Sequence, residues 1–117
     1  MLYFYNMSRS KKDDLVFKAL ANNDRRKILD LLKNYDKTTG EICKEFKNLD
    51  RCTVLQHLRV LENAELVITR RDGRQKWNYL NISPIQGIYN RWIKSYAAPA
   101  ADMLTRLKSD LESTRQE

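Results

Sequence analysis

A chain of 117 residues, 42% hydrophobic and 32% charged, has enough apolar content for one core and too little length for a second domain. Its net charge of +7 points to polyanionic partners, nucleic acid first, although charge by itself does not separate that from a merely solvated Lys-rich surface. No apolar run approaches the ~20 residues of a membrane span, and the patch Leu2 to Tyr5 is too short, and too uncharged at its start, for a signal peptide, so a cytoplasmic protein without membrane contact is expected.

Three glycines and two prolines leave few breaks, which predicts a mostly helical chain. Residues 1–10 read as a flexible lead-in. A first helix is predicted from about Lys12 to Ala21, with Leu15, Val16, Ala19 and Leu20 on one face. Asp24 is placed to cap a second helix carrying the stripe Ile28, Leu29, Leu31 and Leu32. Thr38 or Thr39 caps a short third helix, Glu41 standing at capping-box spacing from Thr38 and Ile42 and Phe46 forming its buried edge. After a turn at Lys47 to Asp50, a fourth helix runs from Arg51 to about Asn63 with Val54, Leu58 and Leu61 inward. Two short helices joined by so brief a turn make a helix-turn-helix.

The period then changes from helical to alternating. Leu66, Ile68, Trp77 and Tyr79 fall at alternate positions around Asp72-Gly73, a dipeptide suited to a two-residue hairpin turn. With Asp72 and Gly73 as the turn, Arg71 faces Arg74 and Thr69 faces Lys76. Arg71, Arg74 and Lys76 then share one side and the four apolar residues the other; a turn offset by one residue would exchange the faces. Like charges opposed across strands are unfavourable, so their retention suggests a surface that meets phosphates. A last helical section starts near Ser83, where Ser-Pro supplies a cap and a first-turn proline, and Pro99 is expected to interrupt it.

On a wheel of about 100° per residue, with Val54 at zero, Gln56 lies near 200°, Cys52 near 160° and Arg59 near 140°. The outward face of the fourth helix is thus Arg51, Cys52, Thr53, Gln56 and the edge of His57. Gln and Arg make bidentate bonds to base edges, and Thr meets a base or a phosphate. The candidate DNA-binding residues are Thr39, Arg51, Thr53, Gln56, His57, Arg59, Arg71, Arg74 and Lys76. For His57, the sole histidine, three roles stay open: contact with the DNA backbone, binding of an effector, and an internal bond that steadies the helix, the last being the ordinary role of a lone histidine at the edge of an apolar stripe.

LANNDRRKILDLL, EICKEF, CTVLQHLRVLENAELV and RRDGRQKWNYLN together resemble the ArsR/SmtB family of winged-helix repressors, over roughly residues 15 to 115. The resemblance implies a bacterial or archaeal homodimer that binds double-stranded DNA at a short inverted repeat and releases it on a signal. Members with a metal site carry two cysteines one residue apart on the third helix. Here Cys43 holds the first position and Glu45 the second, which weakens a soft-metal site. Leu55 stands where the family usually has a serine aimed at DNA, which removes one polar contact.

The fold expected is therefore mostly α with a two-stranded β-hairpin: a winged helix-turn-helix over residues 11–82 and a helical dimerisation region over 83–117, within one domain. The predicted dimer interface uses Leu15, Ile88, Tyr89, Trp92, Tyr96, Leu104, Leu107 and Leu111. No cofactor, no metal and no enzymatic activity are expected, since no phosphate-binding glycine loop, Ser/His/Asp set or zinc motif occurs. The partners expected are DNA, a second copy and an unknown small-molecule or protein effector. Two alternatives stay open: a dimeric interaction module with weakened DNA binding, and a metal- or thiol-responsive sensor using Cys43 and Cys52.

Overall fold

A computed structural model describes the backbone of residues 8–115, and their side chains except those of 97–101, 114 and 115. In chain order the elements are α1 (Arg9–Leu20), α2 (Asn23–Leu32), β1 (Lys37–Thr38), α3 (Thr39–Glu45), α4 (Arg51–Asn63), β2 (Val67–Asp72), β3 (Gln75–Leu80), α5 (Ser83–Trp92) and α6 (Lys94–Arg115). Two compact units divide the chain after Pro84. Of the lead-in expected to be flexible, residues 1–7 lie outside the described residues.

In the first unit, α1, α2 and α4 pack together and the sheet lies against α3 and α4. The core is Val16 and Ala19 from α1, Ile28 and Leu32 from α2, Ile42 from α3 and Val54, Leu58 and Leu61 from α4, closed by Phe46, Ala64, Leu66 and Val67. Each fully buried aliphatic side chain among them contributes roughly 1.5–3 kcal/mol.

Capping chemistry sets the helix starts. Ser8 accepts from Lys11 N, so α1 begins three residues ahead of the expected Lys12. Asn22, not Asp24, caps α2 by accepting from Arg25 N at 3.1 Å, and Thr38 caps α3 through Glu41 N at 3.2 Å. Asp24 instead lies in the first turn of α2, where a carboxylate suits the positive end of the helix. Arg25 then closes the end of α1, its Nε donating to Ala19 O at 2.8 Å and its Nη2 to Lys18 O at 2.9 Å.

The sheet has three strands, in the order β1-β3-β2, where two were expected. The short β1 pairs Lys37 with Asn78 and Thr38 with Trp77. Two residues carry no alternating pattern, so this strand has no signature in the sequence. In the hairpin, Asp72 pairs with Gln75, Arg71 with Lys76 and Arg70 with Trp77. The turn is therefore Gly73-Arg74, one residue later than expected. Only Gly73 needs a positive φ, at 63°, so the chain avoids forcing Asp72 into the left-handed region.

The offset changes the cross-strand partners but, contrary to expectation, does not exchange the faces, since Arg71 and Lys76 share a side in either hairpin; what differs is which side turns inward. Val67, Thr69 and Arg71 share a side with Lys76, Asn78 and Leu80, and Val67 and Asn78 are buried. The face with Ile68, Trp77 and Tyr79, expected to be the apolar underside of the hairpin, points away, with Ile68 exposed and both aromatics half-buried.

In the second unit the helical break falls at Ile93 rather than at Pro99, and α6 runs through that proline. Ile88 is buried, whereas Tyr89, Trp92, Tyr96, Met103, Leu104, Leu107 and Leu111 are exposed. At the start of α5, Ser83 N donates to Asn81 Oδ1, so Asn81 acts where Ser83 was expected to.

Glu65, between α4 and β2, is held at φ 62° with its side chain 7% exposed and Oε1 unpartnered. Left-handed backbone costs a residue with a Cβ about 1–2 kcal/mol, and a buried oxygen without a donor adds to this. Glu65→Gly is therefore expected to stabilise the fold by about 1 kcal/mol, read as a higher urea midpoint with an unchanged slope. A lower midpoint would show that the side chain packs well enough to outweigh both penalties.

Candidate nucleic-acid interface

The starting point is α4, whose buried Val54, Leu58 and Leu61 fix its rotation. With that stripe inward, Arg51, Cys52, Leu55, Gln56 and Arg59 are exposed, and Thr53 and His57 at the flank are half-buried. Asp50 caps the helix by accepting from Thr53 N at 2.7 Å. That backbone hydrogen bond, with a second from the Thr53 hydroxyl, holds the Asp50 carboxyl below its usual range.

The wing stands beside α4 because three side chains bind it there. Glu62, in the last turn of α4, accepts from Thr69 Oγ1 at 3.1 Å and pairs with Lys76 Nζ at 3.6 Å. One carboxylate therefore holds both strands. Asn78, 1% exposed in β3, reaches the other way: its Nδ2 donates to Thr39 Oγ1 at 3.1 Å and to Lys37 O at 3.2 Å. This joins wing, β1 and the first turn of α3, at the cost of leaving Asn78 Oδ1 without a donor.

Between these elements lies an open concavity of about 530 Å³, lined by Thr38, Thr39, Gly40, Arg51, Leu55, Arg71, Arg74, Gln75 and Lys76. Four cations from two separate elements, Arg51 from α4 and Arg71, Arg74 and Lys76 from the wing, thus border one surface. Gln56 and Arg59 follow on the exposed face of the same helix. A preorganised cationic concavity of this kind suits a phosphate backbone, and the exposed Gln and Arg suit base edges.

Not every candidate holds the position expected of it. Thr39 is 8% exposed, and its hydroxyl, besides accepting from Asn78, donates to Lys76 O at 3.5 Å, so it positions the wing and is not free to meet DNA. His57 turns toward α2, where Arg25 Nη1 lies 3.5 Å from Nδ1. Lys76 divides its charge between Glu62 and the concavity. Arg74 sits in the turn itself rather than on the strand face expected for it, which leaves its long side chain at the wing tip.

Sequence reading did not single out Asn78, Glu62 or Gln75. A polar residue at an alternating position is a weak signal until its cross-strand partner is known, and the turn was placed one residue early, which moved each partner by two.

Cys43 is half-buried, Cys52 is exposed and neither forms a disulfide; among the described residues no three His, Cys, Asp or Glu side chains gather as they would around a metal ion. Among them, too, no helix is long and apolar enough to cross a membrane.

Acid should loosen the cap of α4. Because the folded Asp50 pKa is lowered, its contribution is complete above the unfolded value and is lost as pH falls through the folded one, below about pH 4. Asn caps about as well as Asp at neutral pH and does not titrate. The melting temperatures of wild type and Asp50→Asn should therefore be close at pH 7 and separate toward pH 3, with wild type the lower. A constant difference would remove Asp50 from the acid response.

Against known proteins, the profile described as "Bacterial regulatory protein, arsR family" matches residues 22–69, from the cap of α2 into β2. The transcriptional repressor SdpR of Bacillus subtilis is 38% identical over 81 residues, spanning 69% of this chain and 88% of that protein. The arsenical resistance operon repressor of Staphylococcus aureus is 35% identical over 75 residues, 61% of this chain and 67% of its own. Among solved structures, HlyU from Vibrio cholerae superposes with a TM-score of 0.59 at 26% identity, covering 75% of this chain and 95% of that one.

Proposed function

The chain belongs to the ArsR family and is a DNA-binding transcriptional regulator, and from that premise we propose that it is a cytoplasmic homodimeric repressor reading an inverted repeat. In this reading α4 lies in the major groove and the β2–β3 wing rests on the adjoining phosphates. The observation that carries it is the single concavity bordered by Arg51 of α4 and by Arg71, Arg74 and Lys76 of the wing.

The roles follow from the chemistry of each position. Gln56, exposed in the first half of α4, reads a base edge through its carboxamide. Arg51 and Arg59, one turn before and after Leu55, meet guanine edges or phosphates. Arg71 and Arg74 neutralise backbone charge and carry no sequence information. Lys76, restrained by Glu62, adds to the same field. Thr39, Thr53 and His57 act one step back, holding the wing, the helix start and the α2–α4 packing.

A single recognition helix reads only a few base pairs, so specificity calls for two copies about one helical turn apart. The exposed stripe Leu104, Leu107 and Leu111 on α6, with Met103 beside it, supports a second copy as the partner of that helix. The repressor assignment is supported by the names of the two bacterial relatives, each a repressor.

Salt titration of DNA affinity is the test. Arg71→Ala with Arg74→Ala should weaken binding to every duplex and flatten the slope of log K against log salt by about one unit per lost phosphate contact. An unchanged slope would take the wing out of the mechanism. Gln56→Ala should instead cost about 1–3 kcal/mol at one base pair of each half-site and leave other positions alone. Separately, Leu104→Asp with Leu107→Asp should give a monomer in sedimentation velocity and lose tight binding to the two-half-site duplex; a dimer of unchanged mass would place the interface elsewhere.

A further inference from the structure

The Leu55 side chain has no part in the core of the protein. Its neighbours on the buried stripe, Val54, Leu58 and Leu61, are at most 6% exposed, whereas Leu55 is 37% exposed. It stands on the outward row of α4, with Arg51 four residues before it and Arg59 four residues after it, both exposed. It is also the one apolar side chain among the described residues lining the cationic concavity, where its neighbours are threonines, a glycine, a glutamine, arginines and a lysine. A scattered surface leucine needs no explanation. A leucine fixed on a helix between two base- or phosphate-seeking arginines, beside a wing of cations, is in a different position, because whatever this surface binds must desolvate it.

In the major groove, the bases present chiefly hydrogen-bonding groups, and the one methyl among them is the C5-methyl of thymine. If Leu55 met a cytosine amino group, it would strip water from a donor and return no hydrogen bond. Against a thymine methyl, two apolar surfaces leave water together. We infer that Leu55 is a specificity-determining residue that selects a T·A pair in each half-site through the thymine C5-methyl group. This rests on the proposed DNA-reading role of α4 and gives that face a preference its polar residues alone would not have. The loss of a polar contact at this position thus becomes an exchange of one kind of base readout for another.

The experiment begins with a duplex selected by the full-length protein from a random-sequence pool. Each thymine of that duplex is replaced singly by deoxyuridine, which removes the C5-methyl and keeps the base pairing. Affinity is measured by fluorescence anisotropy for wild type and for Leu55→Ala, alanine being compatible with the helix and the site being partly exposed. One thymine in each half-site should show about four-fold weaker binding on loss of its methyl, the value of one apolar carbon removed from contact. With Leu55→Ala, that same substitution should have no effect, while other thymines behave as in wild type. If no thymine shows a methyl dependence that Leu55→Ala abolishes, yet the duplex is still bound in a salt-dependent way, the inference is overturned and the DNA-reading role stands. If wild type selects no duplex and shows no salt-dependent binding, the DNA-reading role falls, and the inference with it.

Discussion

The register of the β2–β3 hairpin is the constraint on which the surface depends. A turn at Gly73-Arg74 pairs Arg71 with Lys76 and puts both on the side of the sheet that faces α4. Glu62 on α4 can then hold Thr69 and Lys76 together, and Asn78 can reach Thr39 and the β1 backbone. A slip of β2 by one residue would turn Thr69 and Arg71 to the face opposite Lys76 and Asn78, so Glu62 could no longer hold both strands, because side chains alternate along a strand. Glycine at position 73 makes this register accessible, since it carries the one positive φ that the turn requires.

The polar ties exact a cost in stability and return orientation. Asn78 Oδ1 and Glu65 Oε1 are buried without donors, and Glu65 also holds a left-handed backbone at the corner leading from α4 into β2. These two groups flank the element that must be aimed. The apolar core below them, from Val16 to Val67, supplies the stability that tolerates them. A wing held by one carboxylate and one carboxamide keeps its cations at a set distance from α4, so less ordering remains to be done when a duplex arrives.

Much of this was legible before any coordinates. Apolar periodicity located α2, α3 and α4, and the extent of α4 agreed because Val54, Leu58 and Leu61 leave little freedom in its rotation. The change of period marked the hairpin. What failed was local. Asp72-Gly73 names a turn region but not the pair of turn residues, and one position separates the two hairpins. Thr39 looked like a contact because a threonine at a helix start reads the same whether its hydroxyl faces solvent or Asn78. β1 is too short to show a pattern. Pro99 looked like a break, yet α6 runs through it and the chain parts at Ile93, so a proline was a weaker marker than it seemed. Leu55 was read as a missing polar group, because a sequence shows what a residue lacks more readily than what its surroundings offer it.

The central claim is that α4 and the wing meet DNA as one surface, the helix in a groove and the wing on the flanking backbone. Hydroxyl-radical footprinting of a selected duplex tests it most directly, because it maps backbone protection nucleotide by nucleotide. The account predicts, in each half-site, a central protected stretch flanked by a separate outer one. Loss of the Arg71 and Arg74 side chains should erase the outer stretch and spare the central one. Footprints in which both stretches fade together, or in which the outer one survives without those arginines, would contradict it.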